Sequence, residues 1–334
     1  MALPLDEDAT VRLTLPVVPP IAPSGEAPVR HGRRALLCTI CAGLAVGAGA
    51  GGWLWSRRRP AERLQAESPP VAAAQVAQPP PPLPAPPPSL DRAGLLAHRA
   101  VVPTALRWSA NPLVWVLDFP SLEQQGQAMN RAAALIEKAH TPRDRVLDDA
   151  ALAAAIAADR RTPATWYYGH DYRGSSLARL FDLAEEAKLV LTPSEAWVGE
   201  QLRLAMRLEP SRDLAFLTVV AEGPGVDASI RDSVLLHELG HGQFFTQPFF
   251  AAHVLRVWDQ GFTEAEREAV RRFLAADGYD TAQEELMANE AMAYLLYTPD
   301  RRLFDPVRDL GWSDAQAEQL RATLRLRAPA EPAI

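Results

Sequence analysis

Apolar residues recur at spacings of three and four through most of the chain after residue 120, as in helices that bury one stripe. The spacing predicts helices over 122–139, 146–159, 175–187, 194–207, 229–245, 249–259, 264–276, 282–297 and 314–327. Strands are scarcer. Val114–Phe119, Lys188–Thr192 and Leu214–Ala221 are short β-branched or apolar runs bounded by turn residues. Few strands among many helices predict an α+β domain, predominantly helical, from residue 91 to the C-terminus. It contains no internal repeat and no glycine-rich phosphate loop.

The first 90 residues follow other rules. Residues 1–34 are polar and proline-spotted, without a sustained apolar period, and are expected to form a disordered tail. Residues 35–55 then run for 21 positions without a charge, about the length a bilayer core requires. Trp53 and Trp55 would sit at one interface, with Arg33-Arg34 and Arg57-Arg58-Arg59 flanking the segment. A single transmembrane helix is expected; the competing reading is a cleaved export signal, since Gly32-Arg33-Arg34-Ala35-Leu36-Leu37 is similar to a twin-arginine signal. That similarity places the C-terminal domain outside the cytoplasm, although the arginines on the two sides nearly balance. Gly43, Gly47 and Gly51 have the spacing that lets two membrane helices pack, which suggests a homodimer through this segment.

Composition changes the picture in three places. Ten of the 30 prolines fall between Pro69 and Pro88, so residues 56–90 are expected to be an extended linker at about 3.1 Å per residue. The net charge of −7 and the pI near 5.6 argue against nucleic acid as a partner. Both cysteines, Cys38 and Cys41, lie in the apolar segment, so a metal site in the folded domain must use histidine and carboxylate.

Such residues stand on two predicted helices. The first carries His237-Glu238-Leu239-Gly240-His241, with no other charge from Ser233 to Thr246; Ser229 and Asp232 are a candidate capping pair for its start. Residues i and i+4 share a helix face, so His237 and His241 can grip one cation, with Glu238 beside it as a general base. Burying these groups without a partner would be costly. The second helix holds Glu290, the one carboxylate from Leu286 to Tyr297, on a face with Leu286, Ala293 and Tyr297. Glu285, one turn earlier, is the alternative ligand, though a first-turn acid is favoured by the helix dipole and reads first as a solvated one. Thr281 and Glu284 form a candidate capping box, and Pro299 ends the helix.

His237-Glu238-x-x-His241 together with Asn289-Glu290-Ala291-Met292-Ala293-Tyr294 resembles the zincin metallopeptidases, specifically the gluzincin type, whose second-helix motifs read NExxxD or ExxAD. The resemblance covers roughly residues 229–297. It implies zinc bound by His237, His241 and Glu290, Glu238 as general base, and a peptide or protein substrate. Where those motifs place an aspartate that orients a ligand histidine, this chain has Tyr294 or Ala293. The orienting partner is left to Tyr294, Asn289 or a backbone carbonyl.

Other parts of a hydrolytic site are open at this level. Tyr279, His253 and the stretch Trp166-Tyr167-Tyr168-Gly169-His170-Asp171-Tyr172 are candidate oxyanion donors. Leu214–Ala221 is either an edge strand that aligns an extended substrate or an ordinary core strand. The expected protein is a membrane-anchored zinc metallopeptidase on a proline-rich stalk. The alternatives are a non-catalytic scaffold with a closed four-ligand metal site, or a zinc hydrolase of a non-peptide amide.

Overall fold

Two central strands are buried on both faces, and they organise everything around them. The computed structural model describes residues 85–210 and 212–332, within one compact unit of the chain. The expected tail 1–34, the apolar segment 35–55 and most of the linker lie outside the described residues. Among those described, no helix is long and apolar enough to cross a membrane.

In chain order the elements are β1 Ser89–Leu90, α1 Arg92–Ala97, β2 Thr104–Trp108, β3 Val114–Phe119, α2 Leu122–Ile136 and α3 Asp149–Ala158. Then come β4 Asp171–Arg173, α4 Gly174–Glu186, α5 Pro193–Leu208, β5 Ala215–Val220 and α6 Ala228–Thr246. The C-terminal part is helical: α7 Pro248–Gln260, α8 Glu264–Ala276, α9 Glu284–Tyr297, α10 Pro306–Leu310 and α11 Asp314–Arg325. The domain is α+β as expected, and each of the nine expected helices is present with ends shifted by three residues or fewer. The elements that hydropathy did not signal, β1, β2, β4, α1 and α10, have two to six residues each, too few for a period to register.

Among the described residues the strands form one mixed sheet in the order β1-β2-β3-β5-β4. β3 and β5 are parallel over Val114↔Ala215 to Phe119↔Val220, while β2 on β3 and β4 on β5 are antiparallel. Strand alternation sends Trp115, Leu117, Phe119 and Phe216 to a core shared with α2, α4 and α5. Val114, Val116, Leu217 and Val219 face Leu235 and Leu239 of α6. On its far side α6 meets a third core, where Leu236 and Phe244 join Met287 and Met292 of α9. A helix lying between a sheet and a helical layer is apolar nearly all round. The charge-free run of α6 is the sequence expression of that position.

Two devices seat α6. Arg231, fully buried, pairs with Asp118 at the end of β3 (3.1 Å) and donates to the carbonyls of Leu95, His98 and Val220. Gly240 lets α9 approach, because a Cβ there would stand 2.4 Å from the Tyr297 ring.

Several local expectations are corrected. Lys188–Thr192 is no strand. Lys188 takes a positive φ of 52° where α4 ends, and Thr192 caps α5 in a box with Glu195. The cap of α6 is Asp227, which accepts from the Ile230 N–H; Ser229 instead bonds Asp300, and Asp232 pairs with Arg92. At the N-cap of α9 stands Gln283, whose side chain makes no cap bond, and Glu284 accepts from Trp258 Nε1 and Arg271 rather than boxing with Thr281. The linker ends before residue 90, since Ser89 and Leu90 pair with Arg107 and Trp108.

Candidate metal centre

Helices α6 and α9 pack side by side, and their facing residues bring three metal-ligating side chains together. His237, His241 and Glu290 each present one ligand atom, all within 4.8 Å of one another. The two Nε2 atoms are 3.0 Å apart, and Glu290 Oε2 lies 3.8 Å from each. Four-coordinate ligands about 2.0–2.2 Å from one ion would be separated by roughly 3.3–3.5 Å, which these distances bracket. Glu290 Oε2 is buried with no hydrogen-bond partner, a state that a cation would relieve. A buried His-His-Glu group able to bind a metal ion is therefore present where it was expected. Glu285, the alternative ligand, pairs with Arg173 at 2.6 Å on the surface.

Other polar side chains flank the imidazoles. Thr298, just beyond α9, has its Oγ1 2.7 Å from His237 Nδ1 and donates to the Ala293 carbonyl. For His241, Asp171 Oδ2 on β4 lies 3.5 Å from Nδ1, and Asn289 stands beside the ring. Asn289 was among the expected partners; Asp171 and Thr298 were not. Tyr294, another expected partner, makes a ring contact with His237 instead, centroids 4.8 Å apart.

Glu238 follows His237 on α6 and is 4% exposed, with Oε2 unpartnered. The backbone of Gly169 closes over it, so closely that a Cβ at 169 would fall 2.1 Å from Oε1. Burial first, and then the charges of Glu290 and Glu137, push the Glu238 carboxyl well above the usual carboxylate range. Glu290 and Asp171 are raised well above it too, burial again leading. Burial holds His241 down at about 4 and His237 well below its usual value, so both rings are neutral. Neutral imidazoles and crowded buried carboxylates form a donor set for a cation.

Sequence reasoning did not single out Glu137. It is 3% exposed, at the end of α2, and burial raises it to about 7 against the opposing pull of Tyr167 and Lys138. Lys138 is buried as well, its ammonium 4.7 Å from the centroids of Trp166 and Tyr167.

The candidate oxyanion donors separate. His253 donates from Nε2 to the Thr323 carbonyl, 3.0 Å away between α7 and α11, and has no place at the site. Trp166 is tied to Asp159 through Nε1, and His170 meets the Tyr172 hydroxyl at 3.0 Å. Tyr279 remains close: burial and then the charge of Glu290 raise its phenol. Leu214–Ala221 is the core strand of its two readings, since β5 lies between β3 and β4; the edge next to the metal helix is the three-residue β4. No protein-family model, curated protein or solved structure matches this chain.

Proposed function

We propose that this chain is a zincin-like zinc peptidase of the gluzincin type, with His237, His241 and Glu290 as ligands and Glu238 as general base. The observation that carries the reading is the convergence of those three ligand atoms within 4.8 Å beside a buried, unpartnered Glu238 carboxylate. Zinc suits a two-imidazole, one-carboxylate set, and when bound it supplies a Lewis acid and lowers the pKa of water. Glu238 accepts a proton from the attacking water and returns it to the leaving amine. Burial, the leading cause, raises its pKa above the usual carboxylate range, which favours holding the proton between the two transfers. Asp171 and Asn289 flank the His241 ring. Residues 35–55 anchor the protein in a membrane, with the catalytic domain outside the cytoplasm and the proline-rich linker as spacer.

A second reading is favoured by how little of the centre reaches the surface. The His237 side chain is 14% exposed, Glu290 1% and His241 not at all. Such enclosure suits a small amide better than a long peptide groove.

Metal content of the purified full chain, measured by plasma mass spectrometry beside cleavage of a peptide library, tests both readings. About one zinc per chain with peptide cleavage supports the peptidase. Zinc with turnover of small amides alone moves the second reading forward. Zinc without any hydrolysis points to the non-catalytic scaffold, and no zinc after reconstitution ends the metal reading.

A further inference from the structure

Thr298 lies in the turn between α9 and α10, 61 residues from the histidine it touches. That turn is clasped to the first half of α6. Ser229 Oγ donates to Asp300 Oδ2 at 2.8 Å, the Asp300 N–H donates to Ser233 Oγ at 3.3 Å, and Arg302 bridges Asp227 and Asp300 at 2.6 Å each. The clasp fixes where the Thr298 backbone sits relative to His237. Threonine is also stiff about χ1, and this one is 7% exposed, so its hydroxyl has little freedom.

Proton bookkeeping gives the hydroxyl a direction. Thr298 has one proton, which it donates to the Ala293 carbonyl at 3.1 Å. What it offers His237 is therefore an acceptor, and Nδ1 must carry the ring proton. That tautomer leaves the Nε2 lone pair on the side where His241 Nε2 lies 3.0 Å away and Glu290 Oε2 3.8 Å away.

We infer that Thr298 is a positioning residue for the metal centre: it holds His237 in the Nδ1-protonated tautomer and aims the Nε2 lone pair at the ion. The inference rests on metal binding at His237. It departs from the motif this chain resembles, in which an aspartate on the glutamate helix does the orienting. Here the orienting group is a neutral hydroxyl past the end of that helix. A neutral acceptor makes the imidazole less electron-rich than a carboxylate would, and it adds no negative charge to a centre already crowded with carboxylates.

The test uses the full chain, wild type beside Thr298→Val, Thr298→Ser and His237→Ala, with zinc affinity measured by chelator competition. Long-range proton–nitrogen NMR of the histidine rings, in protein stripped of metal, reports the tautomer independently. Thr298→Val should bind zinc about 10- to 100-fold more weakly and lose the uniform Nδ1–H signature of His237, with Thr298→Ser restoring both. A merely structural hydroxyl would lower thermal stability in Thr298→Val and leave tautomer and affinity alone, and that result overturns the inference. Wild-type affinity in Thr298→Val, beside loss of zinc in His237→Ala, overturns it while the ligand assignment stands. Absence of zinc from the well-folded wild type removes the metal reading and this inference together, and is distinguished by the wild-type measurement alone.

Discussion

Glu238 and His241 stand three residues apart and are both buried, yet the proposed roles assign them opposite consequences when changed. Glu238→Gln keeps the shape and the hydrogen-bonding capacity but cannot accept a proton. It should keep bound metal and lose about 10²–10⁴-fold in hydrolysis, while His241→Ala loses the metal itself; metal analysis beside a turnover assay separates the two. Gly169 offers a subtler check. The atoms nearest a Cβ there belong to the flexible carboxylate end of Glu238 and to Val234, so Gly169→Ala is accommodated by swinging Glu238 aside. The expected outcome is near-normal stability and metal content with hydrolysis reduced at least tenfold. Wild-type turnover in that variant would show that the present position of Glu238 is unimportant.

At the scale of elements, the site exists because α6 and α9 come within touching distance, and Gly240 is the residue that permits it. A methyl at 240 would meet the base of the Tyr297 ring, which packing on every side keeps from turning away. Gly240→Ala should therefore cost about 1–3 kcal/mol, measured as a lower urea midpoint, and weaken metal binding because Glu290 moves away with α9. An isolated glycine within a helical pattern is a readable sign of such an approach. The short edge strand β4 shows the opposite case. Its three residues carry too little pattern to register, yet Asp171 on it is the carboxylate nearest His241 Nδ1.

The whole molecule sets the electrostatics, since Glu137, Asp171, Glu238 and Glu290 come from three helices and a strand to influence one another. Glu137 permits a signed prediction in protein stripped of metal. Its folded value is about 7 and its ordinary value 4.5, so between those pH values the folded state holds a proton that the unfolded chain has released. Stability then falls as pH rises through that window, by about 2–3 kcal/mol on this account. Urea midpoints at pH 5 and pH 7.5 should differ in the wild type, and the difference should shrink in Glu137→Gln, the other raised carboxyls keeping the remainder. A wild-type midpoint independent of pH would contradict the prediction.

What could be read from the chain is local. Helix periods, the turn of helix that aligns His237 with His241, and the lone carboxylate Glu290 all rest on spacings of three, four and seven, which the helix converts directly into shared faces. Lys188–Thr192 misled because a short apolar run does not say whether the chain continues straight or unwinds at a helix end. The rest depended on contacts between distant segments. Thr298 meets His237 across 61 residues, Arg231 meets Asp118 across 113, and β5 became interior because β4 paired along its free side. No period links such positions; their meeting is decided by the packing of whole layers. Sequence alone therefore names the groups that can do the chemistry, and tertiary packing chooses the partners that orient and charge them.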